Sequence, residues 1–573
     1  MSTPTVAVCP SGRLASVAAI PARPTWRSTR VGPIPRWRPI DGICQRQPSV
    51  VPRRMAVAVA APARQVEQRE EEGTGDEKFV WEKHWYPIAP LKWLEEAQGE
   101  GFESGLPQIQ RQTILGRDIV VWKDAEGEWR AVEDRCSHRL AALSLGSVQK
   151  DGTLACRYHG WCFNGHGECT HIPQATDAAS EATACSSSRS KVVAFPTLEA
   201  GGLLWVWPDD CPTSWVDCAA AKPQMGKFTK QDANWVVTDV PLSYKVMMEN
   251  GFDPSHVSHA HHGQLAFGAK FSPEEDLTIN EFKQTRKTTA DGGFEVSHSP
   301  VTADTQGRNA VVDFHPPNLI TTEALIKGIL NLKLGVHHVP MRPGVTRVIF
   351  ALDFEAKEDK DKAALKIVMA IQKLQTFFRE LPLMLFPGYV RGALRHVCGG
   401  GVGPARALLL QDITLMHSED AQLARSKAEW ANQYYLASAS DNGVAAFRKW
   451  LHTLAGGGPT WFSRGTEEEA MTGKKAEVYD AWNRHSRRCP ECRKALKFLG
   501  GLENLMREMA VGLLGVAVAL AVSRIVDVRM AVFAIVAAGA ALLACLEAQK
   551  LSHKLVTDLP SSGMPEFSYQ WPS

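Results

Sequence analysis

The rhythm of apolar and polar positions changes several times along the chain, and each change marks a different kind of element. From Phe79 to about Asp210, short β-branched and aromatic runs such as Asp118–Trp122, Trp129–Val132 and Leu203–Trp207 are broken by turns at Glu126-Gly127 and Asn164-Gly165. Short strands at that spacing predict a small antiparallel β domain over 79–210. A stretch containing Cys, Ala and Lys follows at 211–234 and reads as a linker. Over 235–480, strand patterns such as Thr346–Phe354 mix with longer helical ones at Ala363–Phe378 and Ala405–Leu423. That mixture predicts an α+β domain. A connector carrying Cys489-Pro-Glu-Cys492 spans 481–504, and 505–550 holds two apolar runs, Met509–Val522 and Met530–Leu546, before a tail at 551–573. The second run has 17 residues, and the first matches it only if Ile525 and Val526 count and Arg524 snorkels. A helical hairpin in a membrane is expected, with a buried helix pair in a soluble core as the alternative.

Composition changes the picture at the front. Residues 1–66 hold ten Arg, no Lys and one acid, Asp41, with a small-residue stretch at Ala56–Ala63. This fits an organelle transit peptide, the alternative being a disordered basic tail; an acidic linker at 67–78 follows. The whole chain of 573 residues carries a formal charge of only +2, so the body behind that basic segment is mildly acidic. An acidic body argues against nucleic acid as a partner. Thirteen Cys in this length are too sparse for a disulfide scaffold, which directs attention to metal and redox chemistry.

Two loops carry the strongest pattern: Cys136-Ser-His138, a gap of seventeen residues, then Cys156-Arg-Tyr-His159. Two Cys and two His admit zinc or an iron–sulfur cluster. Each loop offers one thiolate and one imidazole, which lets both Cys hold one iron and both His the other, as in a Rieske [2Fe–2S] centre. Ala141, Tyr158 and Trp161 stand where Rieske proteins of electron-transfer complexes carry a bridged Cys pair and a Ser. Fewer donors to the sulfurs then imply a low potential.

A second constellation follows in Asp253-Pro-Ser-His256-Val-Ser-His-Ala-His261. An i,i+5 His pair does not share a regular helical face, so the helix must bulge or end between them. Two His with one later carboxylate make the facial triad of non-haem Fe(II) oxygenases. Asp412, an acid inside the apolar run Leu408–His417, is the best candidate, because burying it unpaired would be costly. Glu419 and Asp420 are the fallbacks. His259 and His262 break the spacing.

With these residues the chain resembles the pheophorbide a oxygenase-like family of chloroplast Rieske non-haem iron monooxygenases, over roughly 79–550. Trp85-Tyr-Pro87, Ile172-Pro-Gln-Ala175, Glu249-Asn250 and Phe447-Arg-Lys-Trp450 extend the likeness, and Cys489-Pro-Glu-Cys492 ahead of the hairpin tells against chlorophyllide a oxygenase. The resemblance implies an N-terminal antiparallel β Rieske domain, a helix-grip-like catalytic domain and a transmembrane hairpin. It implies electrons from ferredoxin, O2 as co-substrate and a chlorophyll-derived tetrapyrrole, foremost pheophorbide a. Protochlorophyllide, chlorophyllide or a phyllobilin are alternatives, as is a redox-sensing role in the inner-envelope import translocon. It implies a homotrimer in which Asp253 bridges a Rieske His of one subunit to the mononuclear iron of the next. The soluble domains would face the stroma from the thylakoid or inner envelope, in line with seven Lys/Arg over 484–508. Cys489 and Cys492 read as a redox dithiol and thioredoxin target, against unpaired surface thiols or a shared metal site.

Overall fold

In the computed structural model, the residues described are 79–96, 108–226, 234–261, 265–266, 269–270, 278–301, 310–326, 330–356, 366, 370, 386–398, 403–426, 429–461, 478–523 and 528–557. The expected transit peptide, the acidic linker and His262 lie outside them, as does most of the helix expected at 363–378.

Short strands separated by Gly-rich turns give three small antiparallel sheets before residue 210. Gln110–Ile114, Arg117–Lys123, Trp129–Glu133 and Ala194–Phe195 pair in that order, and Tyr86–Pro90, Leu203–Val206 and Thr197–Ala200 form a second sheet with Leu203–Val206 in the middle. The third is a run of two- and three-residue strands, Ser147–Val148, Leu154–Ala155, Cys162–Phe163 and Cys169–His171, and it presents the two Cys/His loops.

The next unit is a seven-stranded antiparallel sheet. Its order is Val236–Val240, Val345–Ala356, Leu330–Arg342, Leu319–Ile326, Ala310–His315, Gly293–Val301 and Thr278–Thr289, so the first strand returns to pair with the last. Helices Tyr244–Phe252 and Asn442–Thr453 pack on it through Phe252, Phe294, Phe314, Phe447 and Trp450, all buried. This aromatic core is continuous with Trp81, Tyr86 and Ile88 from the β region, so apolar burial joins the two units.

Polar contacts fix their register. The hairpin tip at Leu115-Gly116 has positive φ at both residues (52° and 78°), as a tight two-residue turn requires. Its amides donate to Pro340 O (2.8 Å) and Met341 O (2.6 Å) of the seven-stranded sheet. Arg347, 2% exposed, donates to Asp239 Oδ1 at 2.7 Å, Ile88 O at 2.8 Å and Gln112 Oε1 at 2.5 Å. Arg488 reaches the other Asp239 oxygen. Burial acts to raise the Asp239 carboxyl, but the two guanidinium groups outweigh it and hold the group down at about 2.

At the C-terminal end two long helices, Pro490–Ser523 and Val528–Val556, form the hairpin, with mean hydropathy 1.9 and 2.2 over their most apolar windows. Only 6% and 17% of those windows are buried, so most of their apolar surface is exposed. Most buried positions are small, among them Ala517, Ala534, Ala538 and Ala541, which lets the two helices pack closely. The first helix begins at Pro490 after a π-helical turn at Trp482–Ser486. Cys492 therefore sits in the first turn of a helix rather than on a connector. Similarly, the stretch expected as a linker at 211–234 contains a helix, Ser214–Ala220.

Candidate functional site

The two Cys/His loops share one backbone design. In the first, Cys136 N donates to Ala141 O (2.8 Å) and Leu140 N to Cys136 O (2.9 Å); in the second, Cys156 N donates to Trp161 O (2.8 Å) and Gly160 N to Cys156 O (2.9 Å). Both fourth-turn residues, Leu140 and Gly160, have positive φ (62° and 76°). A Cβ at Gly160 would lie 2.9 Å from Pro173 Cγ, which is why the second loop needs glycine. The design turns the sulfurs inward and the imidazoles outward: Cys136 and Cys156 are 1% and 2% exposed. The His138 and His159 rings lie 4.5 Å apart nearer the surface. Trp161 stacks flat on His138 at 4.7 Å, and Gln174 donates to His159 O at 2.8 Å.

The donor set fits a [2Fe–2S] cluster. Burial, then the adjacent Cys156, pushes the Cys136 thiol up, so a pair of thiolates here needs a cation to neutralise it. Two paired thiols on one side and two imidazoles on the other supply separate ligands for two irons.

In the second constellation the helix beginning at His256 ends at Ala260, and His261 caps it outside helical geometry. The expected break between the two His is therefore a helix end. Asp412 comes from the long helix Gly403–Arg425. Its Oδ1 lies 3.7 Å from His256 Nε2 and 3.3 Å from His261 Nε2, and one ligand atom from each of the three residues falls within 4.8 Å of the others.

Second partners orient both rings. His256 Nδ1–H donates to Asp253 O at 2.5 Å, and His261 Nδ1–H donates to Gln411 Oε1 at 3.0 Å. With Nδ1 protonated, each neutral ring aims a lone pair at a carboxylate oxygen, an arrangement that calls for a cation between them. Without a cation at that point Nε2 of His261 would take a proton instead: burial opposes it, yet a hydrogen bond to Asp412 and the charge of Asp412 outweigh burial and raise the His261 pKa. The set fits a mononuclear Fe(II) held by His256, His261 and Asp412.

A cavity of about 480 Å³ opens on this cluster, lined by His256, Asp412, Asn250, Asp253, Glu249, Glu419 and the Tyr434–Leu436 segment among others. Along its wall Tyr434 Oη lies 2.6 Å from Glu419 and 3.0 Å from Glu249, which is ion-paired to Arg448. Burial raises the Glu249 carboxyl, although Arg448 pulls it down. Burial, then Glu249 and Glu419, lifts the Tyr434 phenol far above its usual value, so it stays a donor.

The fallback acids have other work. Glu419 accepts from Tyr434, and Asp420 accepts from Ser243 N and Oγ, both at 2.7 Å. His259 is exposed. Asp253 closes the helix before the ligands: Ser255 N and Oγ donate to its Oδ1 at 2.9 and 2.5 Å, and its Oδ2 stands 3.8 Å from His256 Nδ1. A third of its side chain is exposed. Sequence reasoning missed Gln411, although a second polar residue beside Asp412 in an apolar run was the available signal. Cys489 and Cys492 are both fully buried, against the alternative of surface thiols. Cys169 and Cys185, far apart in the sequence pattern, bring their sulfurs within 3.7 Å.

A family model described as the Rieske [2Fe-2S] domain matches residues 84–187. The chain is 30% identical over 437 residues to pheophorbide a oxygenase, chloroplastic, of Oryza sativa subsp. japonica, covering 74% of each chain. It is 28% identical to flavonoid 8-hydroxylase 2, chloroplastic, of Ocimum basilicum over 475 residues, 78% of this chain and 79% of that one. It is 27% identical to protochlorophyllide-dependent translocon component 52, chloroplastic, of Arabidopsis thaliana over 468 residues, 76% of each.

Proposed function

This chain belongs to the chloroplast Rieske oxygenases that include pheophorbide a oxygenase, a family of oxidoreductases, and on that premise we propose that it oxygenates a chlorophyll-derived tetrapyrrole, foremost pheophorbide a. The observation that carries the reading is the convergence of His256, His261 and Asp412, two of which, His256 and Asp412, line a cavity large enough to take part of a flat ligand. Cys136, His138, Cys156 and His159 would hold the [2Fe–2S] cluster, and the triad the iron. When bound, the cluster relays single electrons and the iron activates O2. In the balance, substrate, O2, two electrons and two protons give the oxygenated product and water.

The protein's own groups have definable tasks. The paired Nδ1–H bonds of His256 and His261 keep both Nε2 atoms aimed at one point. Tyr434 has one hydroxyl proton and two carboxylate neighbours, so it can donate to Glu419 or to Glu249 but not to both at once, while Arg448 holds Glu249 in an ion pair. That wall can hold and pass a proton at the cavity. Asp253 is assigned to link the iron side of one subunit to His138 or His159 of a neighbouring subunit in a homotrimer; its partial exposure and its place next to His256 support the role.

Ferredoxin is the electron donor in this reading. The apolar hairpin would seat the enzyme in a thylakoid or inner-envelope membrane with its soluble domains on the stromal side, which the chloroplastic relatives and the basic segment before the hairpin support. Burial of Cys489 and Cys492 weighs against thioredoxin as their partner. The test is oxygen uptake with reduced ferredoxin across pheophorbide a, protochlorophyllide and a flavonoid. Uptake and a new product with pheophorbide a alone are expected; turnover of the flavonoid alone would overturn the tetrapyrrole assignment.

A further inference from the structure

A third group of soft-metal donors lies apart from both iron centres. His485, Cys489 and Cys492 bring one ligand atom each within 4.8 Å of the others, and all three are buried. The chain builds this locally. Cys489 N donates to His485 O at 3.2 Å and Arg493 N to Cys489 O at 3.1 Å, so helical turns carry through the π-helical segment into the helix from Pro490. Spacings of four and then three residues set the side chains on one face.

The imidazole is already oriented. His485 Nδ1–H donates to Val237 O at 2.7 Å, and because a carbonyl can only accept, Nε2 of the neutral ring carries the lone pair. A backbone carbonyl on the far nitrogen is the usual outer partner of a metal-bound imidazole. Val390, Ala393, Ala495 and Leu499 pack around the thiols, and the edge of Trp93 meets the His485 ring at 5.6 Å. Amides of the first turn of a long helix favour thiolates at that end.

We propose that His485, Cys489 and Cys492 form a structural Zn2+ site that fastens the root of the hairpin to the first strand of the catalytic sheet. Two thiolates and one imidazole are a zinc donor set, and Zn–S bonds of about 2.3 Å imply sulfurs roughly 3.8 Å apart, so the cluster closes on the ion by at most about 1 Å. Three protein donors occupy three of four tetrahedral positions, and water or a further donor takes the last. Binding converts two thiols to thiolates and releases two protons, with no change of oxidation state. The mechanical effect follows from position. Val237 lies in the strand next to Val345–Ala356, and Arg488, between the donors, is paired to Asp239 of the same strand.

Elemental analysis of full-length protein, purified in detergent and passed through chelator-containing gel filtration, tests this. About one zinc per chain beyond the iron is expected. Cys492→Ser and His485→Ala should each drop it to roughly a tenth or less while keeping the Rieske spectrum. Cobalt added to metal-stripped wild type should give thiolate-to-metal charge-transfer absorption that Cys492→Ser lacks. Should the variants fail to fold, the wild-type zinc content and cobalt spectrum still decide. Zinc-free wild type in which Cys489 and Cys492 alkylate freely, or are recovered as a thioredoxin-reducible disulfide, would overturn the proposal. So would zinc retained by both variants.

Discussion

Removing the amide acceptor behind His261 is the most informative perturbation of the iron site. Gln411→Leu deletes the Oε1 that receives His261 Nδ1–H at 3.0 Å, on a ring that is 3% exposed. No water can easily replace the acceptor there, so the buried donor is left unsatisfied at a cost of about 1–3 kcal/mol. The ring can escape by rotating or by moving its proton to Nε2, and either move removes the lone pair that faces Asp412. Outer partners of ligating imidazoles are generally worth about 10–100-fold in metal affinity. At about 1.36 kcal/mol per decade that is roughly 1.4–2.7 kcal/mol, the same range as the hydrogen-bond estimate. We expect Gln411→Leu to weaken Fe(II) binding about 30-fold, and Gln411→Glu, which keeps an acceptor, to stay within about threefold. Anaerobic titration of iron-stripped protein against a competing chelator reads both, with the Rieske absorption as an internal control of folding. Gln411→Leu binding iron within about twofold of wild type would refute the orienting role.

Asp253→Asn should leave both metal sites loaded yet slow reduction of the iron site by about tenfold or more, because a charged acceptor becomes neutral; stopped-flow reduction measures it, and an unchanged rate counts against the bridge. Mixed trimers of Asp253→Asn and His159→Ala chains should recover activity that neither has alone. Arg347→Met should cost about 3 kcal/mol, since it strips Ile88 O and Gln112 of their buried donor and leaves Asp239 only Arg488; a denaturation midpoint equal to wild type would contradict this. Asp239, held at about 2 against an ordinary value near 3.8, contributes stability that is complete above about pH 4 and is lost as pH falls toward 2, amounting to about 2 kcal/mol. Denaturant midpoints that stay flat from pH 5 to about 2.5 would oppose that assignment.

The Cys/His loops and the His256–His261 pair were legible because they are short local motifs whose chemistry is narrow. Strand positions were also readable: the run expected at Asp118–Trp122 is the strand Arg117–Lys123, and Thr346–Phe354 lies within Val345–Ala356. Asp412 could be reached only by asking what would make a buried acid tolerable, and it stands 3.3 Å from His261. What stayed hidden depends on contacts between distant segments. The two-residue turn sets Leu115 in a left-handed conformation, but the docking of that tip on Pro340 and Met341 is a contact no local pattern encodes. Arg347 looks like one more strand cation until Ile88, Gln112 and Asp239 are seen around it. His485 was missed for another reason. Its spacing to Cys489 and Cys492 is visible in the sequence, but only on a continuous helical path does it place the three donors together.

The central claim is that His256, His261 and Asp412 hold the centre where O2 meets a chlorin. Single turnover of pre-reduced full-length protein with pheophorbide a and 18O-labelled O2, read by mass spectrometry of the product, tests it most directly. One labelled atom per product in wild type, absent from His256→Ala protein that keeps its Rieske spectrum, is the predicted result. Unlabelled product, or labelled product formed equally well by His256→Ala, would contradict it.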